Sequence, residues 1–266
     1  VDTGPHTGIE KARDGVMYLK ELGEIRQHSN SFLKKLNTAK SIVRQAFSQC
    51  KSPYVAVSGG KDSIAMLGIV NDVANESGRQ FSVWSHLSDA SFPGTLETIE
   101  EACRQIEAIP EIDWSPVSAF EVVTNKIQAQ FGKKGYFFSA IENYVKLNNK
   151  DLAFVGVRAG ESHRRARACK IHGSIFKTKV PSPITVCYPL IYFDVFDVAG
   201  AICHYNLPFH PVYSKVPVDG NKLNIRLGYL TAKDLLHMGS AVFIRLNYPE
   251  LYMKLRQAYP EISQYS

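Results

Sequence analysis

The sequence predicts an α/β protein built on a doubly wound, mostly parallel sheet, with helices ahead of the sheet and a helical cap behind it. Three observations carry that expectation. Short apolar runs of strand character, Tyr54 to Val57, Phe81 to Leu87 and Leu152 to Val157, alternate with segments of helical periodicity, the pattern of parallel strands joined by crossover helices. A pair of adjacent glycines, in Ser58-Gly59-Gly60-Lys61-Asp62-Ser63, lies between the first strand and the helix that follows. Arg158 comes directly after the third strand, at the carboxyl end where such sheets gather ligands.

Taken in order, residues 10 to 50 read as helical. Phe32, Leu33, Leu36, Ala39, Val43, Ala46 and Phe47 recur at three- and four-residue spacing and form one apolar face, which Asn30 or Ser31 is expected to cap. After the glycines, Ile64 to Glu76 continues as a helix that stops near Gly78. Phe81 to Leu87 alternates as a strand, Thr95 to Ala108 is helical, and Asp113 to Val117 is a short strand. Helices are expected over Phe120 to Phe131 and Ala140 to Leu147, ahead of the buried strand at Leu152 to Val157. In the tail, Ala232 to Met238 and Ala241 to Tyr259 read as helical, with Phe243, Leu246, Leu251, Tyr252 and Leu255 on a packing face.

The glycine pair gives this pattern its chemistry. Glycines let backbone amides approach an anion closely, and the free N–H groups of a helix start point at it with the helix dipole behind them. Ser58 and Ser63 add hydroxyl donors, Lys61 a point charge, and Asp62 a carboxylate for a metal or an N-terminal cap. The glycines are adjacent, which excludes a Walker A loop, where four residues separate them. The bland alternative is a glycine turn between strand and helix. Ser58-Gly59-Gly60-Lys61-Asp62-Ser63 resembles the PP-loop of the ATP pyrophosphatase superfamily, whose members cleave ATP between its α- and β-phosphates.

A second constellation, Gly156-Val157-Arg158-Ala159-Gly160-Glu161-Ser162-His163-Arg164-Arg165, runs on through Arg167, Lys170, Lys177 and Lys179 with Glu161 its only acid. It reads as a basic loop at the mouth of the sheet, where guanidinium forks suit oxyanions; a mobile, solvated basic loop is the plain alternative. With the glycine loop it resembles the phosphoadenosine phosphosulfate (PAPS) reductase-like branch, which carries a Gly-x-Arg-x-x-Glu-Ser-x-Arg-Arg type motif. Asp89-Ala90-Ser91-Phe92-Pro93-Gly94-Thr95 is similar to that branch's acidic Phe-Pro-x-Thr segment, and Tyr188-Pro189-Leu190 through Leu207-Pro208-Phe209-His210-Pro211-Val212-Tyr213 to its Pro-Leu…Asp-Val…Leu-Pro-x-x-Pro-x-Tyr element. The resemblance implies an adenine nucleotide alpha hydrolase-like fold and the boundaries 1–50 for an N-terminal helical segment, 51–230 for the PP-loop domain and 231–266 for a helical extension.

The chain departs from true reductases at the C-terminus, where they carry a nucleophilic cysteine. Its last cysteine is Cys203. The five cysteines, Cys50, Cys103, Cys169, Cys187 and Cys203, form no Cys-x-x-Cys pair, against both a disulfide framework and a four-cysteine zinc site. Cys169-x-x-His172, with Cys187, Cys203-His204 and His210 downstream, has ligand-like spacing but no convergent set. No apolar run is long enough to cross a bilayer and residues 1 to 10 hold no apolar signal core, so the expected compartment is the cytoplasm. The net charge of +6 suits a protein that handles polyanions.

The resemblance then implies an enzyme that binds ATP, or a PAPS-like adenine nucleotide, with Mg²⁺. Ser58, Gly59, Gly60, Lys61, Asp62 and Ser63 would hold phosphates, with Asp89, Gly156, Arg158, Glu161 and Ser162 completing the nucleotide site. Asp62 and Asp89 would position the metal. Lys61, Arg158, Arg164 and Arg165 would stabilise charge during attack by an acceptor on the α-phosphorus. Alternatives are a reductase using Cys169 or Cys187, and a nucleotide-binding subunit of a nucleic-acid modification or defence assembly with a protein partner or a second copy of itself.

Overall fold

The computed structural model describes residues 14–118, 136–179, 181–215, 241–258 and 260–264. The expected helices at Phe120 to Phe131 and Ala232 to Met238 lie outside the described residues. A six-stranded sheet has the order β3-β2-β1-β4-β6-β5, with β1 at Pro53–Ala56, β2 at Ser82–Leu87, β3 at Pro110–Trp114, β4 at Leu152–Phe154, β5 at Ile175–Thr178 and β6 at Ile184–Cys187. Every neighbouring pair is parallel except β5 with β6. The chain leaves β1 toward β2 and β3, then crosses back to place β4 on the other side of β1. The carboxyl ends of β1 and β4 therefore flank a topological switch point, the crevice where open α/β sheets bind ligands.

The N-terminal helical region is two helices, α1 at Gly15–Arg26 and α2 at Asn30–Ser48. Ser29, rather than Asn30 or Ser31, caps α2 by accepting a hydrogen bond from the Phe32 amide at 3.2 Å. The periodic face of α2 is buried as its spacing predicts, except that Leu33 stays partly exposed. Helix α3, Lys61–Ser77, starts three residues before Ile64 because Gly60 is extended and serves as its N-cap; it ends as expected at Gly78, whose φ is +61°. Strand β3 forms a few residues earlier than Asp113 to Val117. Strand β4 stops at Phe154, where Val157 turns back to donate to the Val155 carbonyl at 2.8 Å and aims Arg158 inward. After α4 at Thr95–Gln105 and α5 at Tyr136–Leu147, the basic stretch is ordered as α6 at His163–His172 followed by β5, not as a loop.

Helix α7 at Val195–His204, with α2 and α3, buries one face of the sheet through Phe32, Val43, Val55, Ile64, Leu67, Val83 and Phe154. Tyr54, Trp84 and Ala153 on the opposite face pack on Tyr144 and Val145 of α5. The tail forms α8 at Ala241–Asn247 and α9 at Pro249–Ala258, divided at Pro249, whose fixed φ suits a new helix start. Leu251, Tyr252 and Leu255 close over Leu19, Phe92 and Tyr213, whereas Leu246 is 70% exposed. That third cluster fastens the tail to the segment next to the switch point.

Candidate functional site

The loop after β1 carries Ser58 to Gly60 across the switch point. Gly59 takes φ +74°, which requires glycine, and a Cβ there would stand a tight 3.1 Å from the Thr95 methyl. The Gly59 and Gly60 amides have no hydrogen-bond partner among the described residues. Ser63 holds the turn. Its Oγ donates to the Gly60 carbonyl at 2.8 Å and accepts from the Ser58 amide at 3.1 Å, with the Ser58 hydroxyl 3.3 Å away. The result is a turn that sets two free amides at the start of a seventeen-residue helix, beside the positive end of its dipole.

Beside this turn lies a charge relay. Lys61 is 2% exposed, with its ammonium donating to Asp62 Oδ2 at 2.8 Å and lying 5.7 Å from the centroid of the Tyr213 ring. Arg158, which enters from the end of β4 with its side chain 4% exposed, donates from Nε to the other oxygen of Asp62. Burial alone would raise the Asp62 pKa, but Lys61 and Arg158 outweigh it and hold the carboxyl below its ordinary range. Glu161 lies between Arg158 and Arg165, 3.8 Å from the former and in an ion pair with the latter. Gly156 permits the approach, since a Cβ there would meet the Asp62 backbone at 3.0 Å.

The structure thus brings together Ser58, Gly59, Gly60, Lys61, Asp62, Ser63, Gly156, Arg158, Glu161 and, through Glu161, Arg165. Ser162 instead caps α6, accepting from the Arg165 amide at 3.2 Å. Arg164 is exposed on α6. Asp89 sits on an exposed turn after β2, where it accepts from the Ser118 hydroxyl at 2.7 Å.

A magnesium site built on Asp62 and Asp89 does not fit this arrangement. Both oxygens of Asp62 are committed to cations, and no group of three or more metal-ligating side chains converges among the described residues. The cysteines fit a nucleophile no better. All five are free thiols, and burial raises the pKa of both Cys169 and Cys187, the opposite of what a reactive thiolate needs.

Sequence reasoning missed Tyr213 and His210 as parts of the site. The fully buried Tyr213 hydroxyl accepts from the Lys61 amide at 3.1 Å, capping α3 in place of a loop side chain. His210 Nδ1 accepts from the Val212 amide at 2.9 Å, so its Nε2 proton faces Thr95 Oγ1 at 3.0 Å; this accounts for a residue that looked like a stray metal ligand. The signal was the Leu207 to Tyr213 element, whose partner across the fold no local spacing reveals. Burial pushes the His210 pKa down to about 4. The folded state therefore refuses a proton that the unfolded chain accepts below its ordinary value near 6.5. Stability is complete above pH 6.5 and declines as pH falls toward 4, by about 3 kcal/mol in all. Urea denaturation across that range is expected to show this decline, and His210→Gln to flatten it.

No curated protein sequence matches the chain significantly. Among solved structures, FMN adenylyltransferase from Candida glabrata, in complex with FAD and inorganic pyrophosphate, superposes with a TM-score of 0.55 at 14% identity, over 75% of this chain and 68% of that one. PAPS reductase from Candida auris gives 0.51 at 12% identity over 77% and 94%. The U34-tRNA thiolase of Methanococcus maripaludis gives 0.50 at 13% identity over 88% and 81%. At these identities the likeness is one of fold, the adenine nucleotide alpha hydrolase-like arrangement. The family model of the phosphoadenosine phosphosulfate reductase domain matches residues 52–217, from the start of β1 through Tyr213, and the chain belongs to that family.

Proposed function

We propose that the chain is a PP-loop enzyme that binds ATP, or a related adenine nucleotide, and transfers its adenylyl group to an acceptor. The observation that carries this reading is the pair of unpartnered amides at Gly59 and Gly60, set at the switch point over the buried Lys61–Asp62–Arg158 relay. The solved structures of like fold, an FMN adenylyltransferase with FAD and inorganic pyrophosphate and a PAPS reductase, support nucleotide chemistry at the α-phosphate.

In this reading the loop amides and the Ser58 hydroxyl bind the β- and γ-phosphates. An acceptor oxygen attacks the α-phosphorus, the bond to the α–β bridging oxygen breaks, and pyrophosphate leaves with that electron pair. Lys61 and Arg158, held by Asp62, meet the charge that grows on the leaving group, which is electrostatic preorganisation and needs no protein nucleophile. Glu161 and Arg165 position Arg158. Magnesium has no protein-held place here; it would arrive on the phosphates with water completing its shell. A cytoplasmic setting supplies the nucleotide, and no helix among the described residues is long and apolar enough to cross a membrane.

The test is product identity from ATP labelled at the α-phosphate, with Lys61→Ala as control. AMP or an adenylylated acceptor with pyrophosphate, lost in the control, is the expected result. ADP with inorganic phosphate overturns the proposal.

A further inference from the structure

From Ser162 to Phe193 the chain has Arg164, Arg165, Arg167, Lys170, Lys177 and Lys179 and no Asp or Glu, a charge of +6 that equals the net charge of the whole chain. The rest of the molecule is balanced. Arg165 is tied to Glu161, but no carboxylate pairs with Arg164, Arg167, Lys170, Lys177 or Lys179 among the described residues, and all five are exposed.

Local structure arranges these charges in two rows on one side of the sheet. Cys169 of α6 packs in the same core cluster as Ile175 and Cys187, so α6 lies on the sheet face that carries Ile175. Strand alternation puts Lys177 on that face as well. With Cys169 turned inward, Arg164, Arg167 and Lys170 fall on the outward face of α6 at a spacing of three, spanning roughly 9 Å at the helical rise. β5 is the edge of the sheet. The exposed His172 ring closes α6 at its C-terminal end, 5.1 Å from Phe176, which strand alternation turns to the opposite face of the sheet.

We infer that this α6–β5 edge is a docking surface for a nucleic-acid strand. Unpaired cations at regular spacing neutralise successive phosphates, and the exposed His172 ring offers a stacking face to a base. The large exposed apolar side chain of α6 is Ile171 alone, too little for the aromatic anchors of a protein interface or the apolar face that inserts into a membrane. The helix begins at His163, five residues past Arg158. A strand lying along α6 therefore ends at the phosphate loop; that it supplies the acceptor rests on the adenylyl-transfer reading, whereas the docking does not.

The experiment is fluorescence anisotropy of the full chain with a labelled single-stranded oligoribonucleotide, titrated over a range of salt. Binding is expected to weaken with salt at a log–log slope of roughly −0.7 per phosphate neutralised. In Arg167→Ala/Lys170→Ala/Lys177→Ala/Lys179→Ala, the slope should shrink by about 2 to 3 and affinity should fall by at least about tenfold at low salt. Circular dichroism and ATP binding at the wild-type level confirm that this variant is folded. No binding, an unchanged slope in the variant, or equal displacement by polyglutamate, which would mark an acidic protein partner, overturns the inference. An ATP titration of the same wild-type preparation that shows no nucleotide binding sinks the adenylyl-transfer reading and leaves this result standing.

Discussion

Arg158→Ala is expected to lower turnover by about 10²- to 10³-fold, the loss typical of removing one preorganised donor to developing charge. Arg158 is buried at the end of β4 and divides its guanidinium between Asp62 and Glu161. Its removal leaves Asp62 to Lys61 alone, so that cation is drawn away from the phosphates at the moment it is needed. Arg158→Lys restores a charge but not the fork that reaches two carboxylates, so it should recover little. Steady-state kinetics separate the explanations. A fall in kcat with KM for ATP nearly unchanged marks stabilisation of the transition state, whereas a rise in KM with kcat kept marks simple binding of phosphate.

Asp197→Ala is expected to destabilise the fold by about 3 kcal/mol, the lower end of the range for breaking a buried ion pair. Asp197 is fully buried at the start of α7. It accepts from Arg26 Nε at 2.9 Å, pairs with Lys35, and accepts from the Asp194 amide at 2.9 Å as half of a capping box. One carboxylate thus ties α1, α2 and α7 together. Both cations are partly exposed and water takes some of their charge when the acid is lost, which sets the estimate at the low end. Urea denaturation measures the effect. Asp197→Asn, which keeps an acceptor for the Asp194 amide, should recover part of the loss; a variant as stable as the parent would show that the cluster contributes no net stability.

The fold and the site were legible in the sequence to different depths. Local rules were enough for the strand–loop–helix at Tyr54 to Ser63, because the chemistry of its glycines is complete within ten residues. The adjacency of Arg158 to the third strand also placed it, since strand ends in such a sheet converge. Residues that act across the fold were not legible. Tyr213 caps a helix that begins 152 positions earlier, and only the packing of α9 and Phe92 around it fixes that meeting. Asp62 read as a metal ligand because spacing shows a carboxylate beside a phosphate loop; it does not show that Lys61 and Arg158 claim both oxygens. The basic stretch read as a loop for lack of strong apolar periodicity, yet a single buried Cys169 and a capping Ser162 suffice to seat α6.

The central claim is that nucleotide phosphate binds at the Gly59–Gly60 turn with its α-phosphorus open to an acceptor. A crystal structure with the non-cleavable analogue α,β-methylene ATP tests it most directly. The account predicts β- and γ-phosphate oxygens within hydrogen-bond distance of the Gly59 and Gly60 amides, and Arg158 turned toward the α–β bridge. A nucleotide bound elsewhere, or one whose phosphates point away from the loop while its base fills the switch point, would contradict it.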